Sequence, residues 1–197
     1  MTLRITDAAP LRGVAWVGKA FALFLKQPLA FTLILLLFLV AALVLMLLPL
    51  LGPFLLLAAL PLLTLGFMAA TRDAMQGKPV RVAALVEAVA ARADAARRGA
   101  LLRLCLLYAV STALVMFAAE AADGGAFERL QRLLSRERTP DITAEIDALL
   151  ADPKLHLGLM LRFGLSALLS VPFWHAPALV AWHAQGVAQS LFSSTLA

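Results

Sequence analysis

The chain has 197 residues, of which 62% are hydrophobic and 15% charged, with a formal net charge of +5 and a mean hydropathy of +0.91. Soluble domains are roughly half apolar and about a quarter charged because their surfaces need polar cover, so this composition excludes an ordinary water-soluble fold. A single cysteine, Cys105, excludes an intrachain disulfide.

Residues 11–26 place Trp16, Val17, Ala20, Phe21, Phe24 and Leu25 at helical spacing on one side, with Lys19 and Lys26 off it. That pattern predicts an amphipathic helix in the membrane interface. Gln27-Pro28 breaks the direction. A charge-free stretch then runs to Thr71, much longer than one ~30 Å crossing at ~1.5 Å per residue, and too long for the apolar region of a cleaved signal. Pro49-Leu50-Leu51-Gly52-Pro53 divides it into spans at about 28–49 and 53–71, with a kink expected at Pro61.

Arg72 to Pro79 reads as a polar turn. A second amphipathic helix is predicted over 80–98, with Val82, Leu85, Val86 and Val89 as its stripe, and a third span over 100–119. The segment 120–154 is hydrophilic. Gly124-Gly125 opens it, a charged helix follows at 126–138, and Thr139-Pro140 has the form of an N-cap with proline at the first helical position of a helix over 140–151. A fourth span is predicted over 155–181. Residues 183–197 form the weakest amphipathic helix, with Ala184, Val187 and Leu191 on one side and Gln185, Gln189 and Ser193 on another. The fold class is therefore all-α: one polytopic integral membrane domain over 1–197, with four spans and interfacial helices.

Orientation follows from lysine and arginine. Arg4, Arg12, Lys19 and Lys26 precede the first span, and Arg72, Lys78, Arg81, Arg92, Arg97, Arg98 and Arg103 lie between the second and the third. The 120–154 loop instead carries Glu120, Asp123, Glu128, Glu137, Asp141, Glu145, Asp147 and Asp152 against five basic residues. The rule places both termini in the cytoplasm and this loop in the periplasm of a bacterial inner membrane. An amphipathic helix before each hairpin suggests a repeat, whose third copy begins near 183.

No catalytic constellation is evident. His156, His175 and His183 belong to the fourth span or its edge. His175 and His183 are eight residues apart and so face different directions on one helix, which gives no metal or haem site within the chain. Ser111, Thr112, Ser166 and Ser170 have no accompanying base and fit helix packing better than nucleophilic chemistry. Arg162 is the one charge well inside a span. It lies near the outer end, where it can snorkel or pair with Glu120 or Asp123. Pro172 and Pro177 bracket Trp174 and His175, either as a gate or as a kink filled by neighbouring helices; the kink is the simpler reading. Arg72, Arg97, Arg98, Arg103, Arg162 and His175 are the candidate lipid or partner contacts, the arginines by attraction to anionic headgroups. Aromatic residues do not interleave with the charges, so nucleic acid is not an expected partner.

The stretch from Pro49 through Leu65-Gly66-Phe67-Met68 to Arg72-Asp73-Ala74-Met75-Gln76-Gly77-Lys78-Pro79-Val80-Arg81, together with Phe173-Trp174-His175-Ala176-Pro177 and Ala181-Trp182-His183, resembles an uncharacterised family of proteobacterial multi-span integral membrane proteins. More distantly it is similar to the membrane domain attached to some glycerophosphodiester phosphodiesterases. The resemblance covers most of the chain outside 120–154. It implies about six spans, one hairpin more than are visible here, and assigns no catalytic residue or cofactor. The expected function is that of a non-enzymatic accessory or scaffolding subunit of a larger respiratory, light-harvesting or transport assembly, with membrane lipids and other membrane subunits as partners. The alternative is a small transporter or lipid-handling protein.

Overall fold

A run of leucine, valine and phenylalanine without a charge has one low-energy state in lipid, a helix whose backbone bonds close on themselves. The computed structural model describes residues 12–49, 51–83, 95–137 and 139–196, and every regular element among them is helical. In chain order these are α1 (Arg12–Lys26), α2 (Pro28–Met46), α3 (Leu51–Met75), α4 (Ala95–Asp123), α5 (Ala126–Leu134), α6 (Pro140–Leu150), α7 (Pro153–His183) and α8 (Val187–Thr195). The four long ones, α2, α3, α4 and α7, are long and apolar enough to cross a membrane. The chain divides into two compact units, one of Met1–Leu106 with Pro172–Ala197, the other of Leu107–Val171.

In the first unit, α1, α2 and α3 gather around Ile34, Ala70, Ala74 and Val80, with Leu23, Phe31 and Phe67 packed against them. Gln27 fastens this group. Its side-chain amide donates to the Lys78 carbonyl at 3.0 Å and accepts from the Val80 N–H at 2.7 Å, a two-point bridge across 53 positions of sequence. Gly77, at φ +71°, turns the chain after α3 so that these groups can reach it. The hairpin between α2 and α3 depends on Gly52, where a Cβ would fall on the backbone of Leu45.

Of the helix expected over 80–98, only the two ends lie among the described residues. Val80 to Ala83 are not helical, 84–94 lie outside the described residues, and 95–98 form the first turn of α4. The Val80 N–H is committed to the Gln27 side chain, and Val82 and Ala83 form a turn.

α7 continues through both Pro172 and Pro177, with Pro177 fully buried. Its end is marked by Ala184 in the left-handed region at φ 53°, with the Gln185 N–H returning to the Leu179 carbonyl. α8 then docks through Ser190 and Ser194, both buried, and Ser194 Oγ accepts from the His175 N–H at 3.0 Å. Small hydroxyl residues one turn apart let two backbones approach closely. The apolar side named from the sequence, Ala184, Val187 and Leu191, is less buried than the two serines.

In the second unit, α5 and α6 form an antiparallel pair. Leu130, Leu133, Leu149 and Leu155 make its core, with Phe127, Ile142 and Ile146 against them. Thr139 caps α6 as expected, accepting from the Ile142 N–H, with Pro140 at the first helical position.

Candidate functional site

Two polar constellations stand out, one in each unit. In the first unit, Thr64, Phe67, Met68, Thr71, Arg72 and Met75 recur every three or four residues along one face of α3. With Trp174 and Trp182 of α7 they line a groove of about 460 Å³. Thr64 turns its hydroxyl back onto the Leu60 carbonyl at 3.0 Å, so its hydroxyl is engaged with its own helix. Arg72, in the last turn of α3, lays its guanidinium over the Trp182 ring at 4.5 Å. One residue earlier on α7, the Ala181 carbonyl accepts from Arg97 Nη1 at 3.2 Å. Two arginines from different helices therefore converge on consecutive residues at the end of α7, where the last carbonyls of a helix favour positive charge.

In the second unit, Asp123 ends α4. Its side chain is fully buried (0% exposed), and it accepts from Arg162 Nη1 at 2.5 Å and from the Gly125 N–H at 2.8 Å. Gly125, at φ +79°, makes that second bond possible by turning its N–H back. The Arg162 guanidinium also lies 4.2 Å from the centre of the Phe127 ring. Gly158, one turn before Arg162 on α7, leaves the space that Asp123 fills: a Cβ there would stand 2.5 Å from the Asp123 Cβ. The charge inside the span is thus paired, and of the two acids expected, Asp123 is its partner, while Glu120 is exposed.

The predicted contact residues divide accordingly. Arg162 and Arg97 are turned onto protein groups. Arg72 is exposed but held on Trp182, and Arg98 and Arg103 are exposed along the start of α4. The His175 side chain is exposed while its N–H bonds to Ser194. His156 Nδ1 lies 2.9 Å from the Asp152 carbonyl. Among the described residues no group of three or more histidine, cysteine, aspartate or glutamate side chains converges. Sequence reading missed Gln27 and the pairing of Arg72 with Trp182. The side chains that line α3's side of the groove recur at helical spacing, but up to Thr71 they sit in a span whose charge-free sequence marks no face as special.

Among curated proteins, the chain is similar to a probable inner membrane protein of Burkholderia thailandensis, with 30% identity over 195 residues, covering 98% of this chain and 69% of the relative. No protein-family profile matches the chain, and no solved structure matches it.

Proposed function

The chain belongs to the family of the Burkholderia inner membrane protein, and from that premise we propose that it is a non-enzymatic accessory or scaffolding subunit of a larger assembly in the bacterial inner membrane. The inner membrane itself is supported by the relative and by the four long apolar helices. The observation that supports an accessory role is α2. Of its described residues only Ile34 is buried, while Leu33, Leu36, Leu37, Leu39, Leu43 and Val44 are exposed around the helix. Lipid covers such a surface, and so does a neighbouring helix, which adds close packing that lipid does not. Respiratory, light-harvesting and transport complexes are the assemblies such a subunit fits.

The test is mild solubilisation of the tagged protein from its own membrane, followed by native mass spectrometry. A stoichiometric membrane partner supports the reading and names the process; recovery of this chain alone in native-lipid discs refutes it. In the proposed orientation both termini are cytoplasmic and 120–154 is periplasmic. A cysteine introduced at Glu145 in a Cys105→Ala background should then react with an impermeant maleimide in intact spheroplasts, and protection there would reverse the topology.

A second reading, lipid handling, is favoured by the groove on α3. A transporter at this place calls for a polar cavity between the second and fourth spans, whereas this groove is lined by Phe67, Met68, Met75 and two tryptophans. The distant similarity to the membrane domain of glycerophosphodiester phosphodiesterases belongs with this second reading.

A further inference from the structure

We propose that the groove formed by α3 and the end of α7 is a binding slot for an anionic phospholipid, with an acyl chain along Phe67, Met68 and Trp174 and the phosphate at Arg72. This inference rests on the lipid-handling reading of the same groove, which it deepens, and does not depend on the accessory-subunit reading.

Its walls belong to two helices long and apolar enough to span the membrane, so the medium that meets the groove is lipid. Its volume of about 460 Å³ lies within the roughly 300–1,000 Å³ usual for ligand sites. The lining is mostly apolar and carries its one charged side chain, Arg72, in the last turn of α3, which is the amphipathic pattern of a phospholipid.

That cationic end is built. Arg72 stands in the last turn of a spanning helix, at the depth where a headgroup begins. Stacking on Trp182 at 4.5 Å orients its guanidinium and leaves the hydrogen-bonding edge open, and the planar fork of N–H groups matches phosphate oxygens. Arg97, bound to the Ala181 carbonyl, brings a second positive charge to the end of α7, outside the groove's own lining. Trp182, one residue from the end of α7, carries the amphipathic ring type that favours the boundary between chain and headgroup. A zwitterionic lipid has the same chains but brings its own cation to the arginine. The net charge of its headgroup therefore decides its affinity.

The experiment uses the full chain in liposomes with lipids brominated on their acyl chains, which quench tryptophan on contact. Trp16 is exposed on α1 and would report any lipid, so the background carries Trp16→Phe and the signal comes from Trp174 and Trp182. Brominated phosphatidylglycerol should quench with about fivefold preference over brominated phosphatidylcholine, the ratio expected from one well-placed basic residue. Arg72→Gln should abolish the preference and leave quenching by phosphatidylcholine in place. Arg72→Lys should keep most of it. Lys26→Gln removes the same net charge from an exposed position away from the groove's lining and should keep it in full. In the unaltered groove, unbrominated phosphatidylglycerol should restore fluorescence and unbrominated phosphatidylcholine should not, a readout that needs no variant to fold. Equal quenching by the two lipids overturns the proposal. So does a loss of preference in Lys26→Gln as large as in Arg72→Gln, which would mean diffuse surface charge. Quenching by neither lipid also overturns it, because the groove would then be closed by protein.

Discussion

Replacing Arg162 with methionine should cost this protein more stability than replacing its partner, and the two losses should not add. The Asp123 side chain is fully buried and that of Arg162 is 12% exposed. Removing the arginine strands a carboxylate where water cannot reach it, a change that costs roughly 3–5 kcal/mol for buried pairs. Here the Gly125 N–H still bonds to the other carboxylate oxygen, so the loss should fall near the lower bound, about 3 kcal/mol. Asp123→Asn keeps an acceptor for Gly125 and leaves the arginine resting on Phe127, at the more accessible end of the pair, so about 1.5–2 kcal/mol is expected. In the double variant neither charge is stranded. Its loss should be about 2 kcal/mol, well short of the sum, a coupling of about 2.5–3 kcal/mol at the upper end of the roughly 0.5–3 kcal/mol seen for residues in one network. Unfolding is read by the reactivity of a cysteine at Leu130, in the core of the same unit, in a Cys105→Ala background during a sodium dodecyl sulfate titration. Single losses below about 1 kcal/mol, or additivity within about 0.5 kcal/mol, would refute the idea that this pair holds the unit together.

Gly158→Ala should destabilise the same unit by about 1–3 kcal/mol in that assay, as overpacking does. Because the added methyl meets the Asp123 Cβ and not only its carboxylate, truncating Asp123 to alanine should fail to rescue it. Gln27→Leu should leave the Lys78 carbonyl and the Val80 N–H without their side-chain partner and cost about 1–3 kcal/mol. The first sign should be faster amide exchange at Val80, with the thiol of Cys105, buried in the native chain, reacting earlier on heating. Unchanged exchange at Val80 would mean that the bridge is not formed in the membrane.

Much of the architecture depends on local order alone. A charge-free run in lipid has to satisfy its backbone internally, so the four long helices follow from composition with ends shifted by a few residues. Thr139-Pro140 is likewise self-sufficient: a hydroxyl that accepts from three residues on, and a ring that lacks the N–H the first turn cannot use, start a helix wherever they stand. An arginine seven residues inside a span needs a nearby acid, and the sequence narrows that acid to two.

The pairings across long stretches of chain belong to the tertiary structure. Asp123 rather than Glu120 meets Arg162 because Gly158 leaves room for it and Gly125 turns an N–H toward it, two features with no charge or periodicity to announce them. α8 buries Ser190 and Ser194 instead of its more apolar side, because close backbone approach and the His175 N–H favour small hydroxyls over hydrophobicity. Gln27 bonds to residues 51 and 53 positions away, and Arg72 finds Trp182 across the fold. Hydrophobic patterning reports how far each segment prefers lipid to water, a property each segment carries alone. A hydrogen bond or a stacked cation depends on two directions and a distance, and only the packed chain sets those.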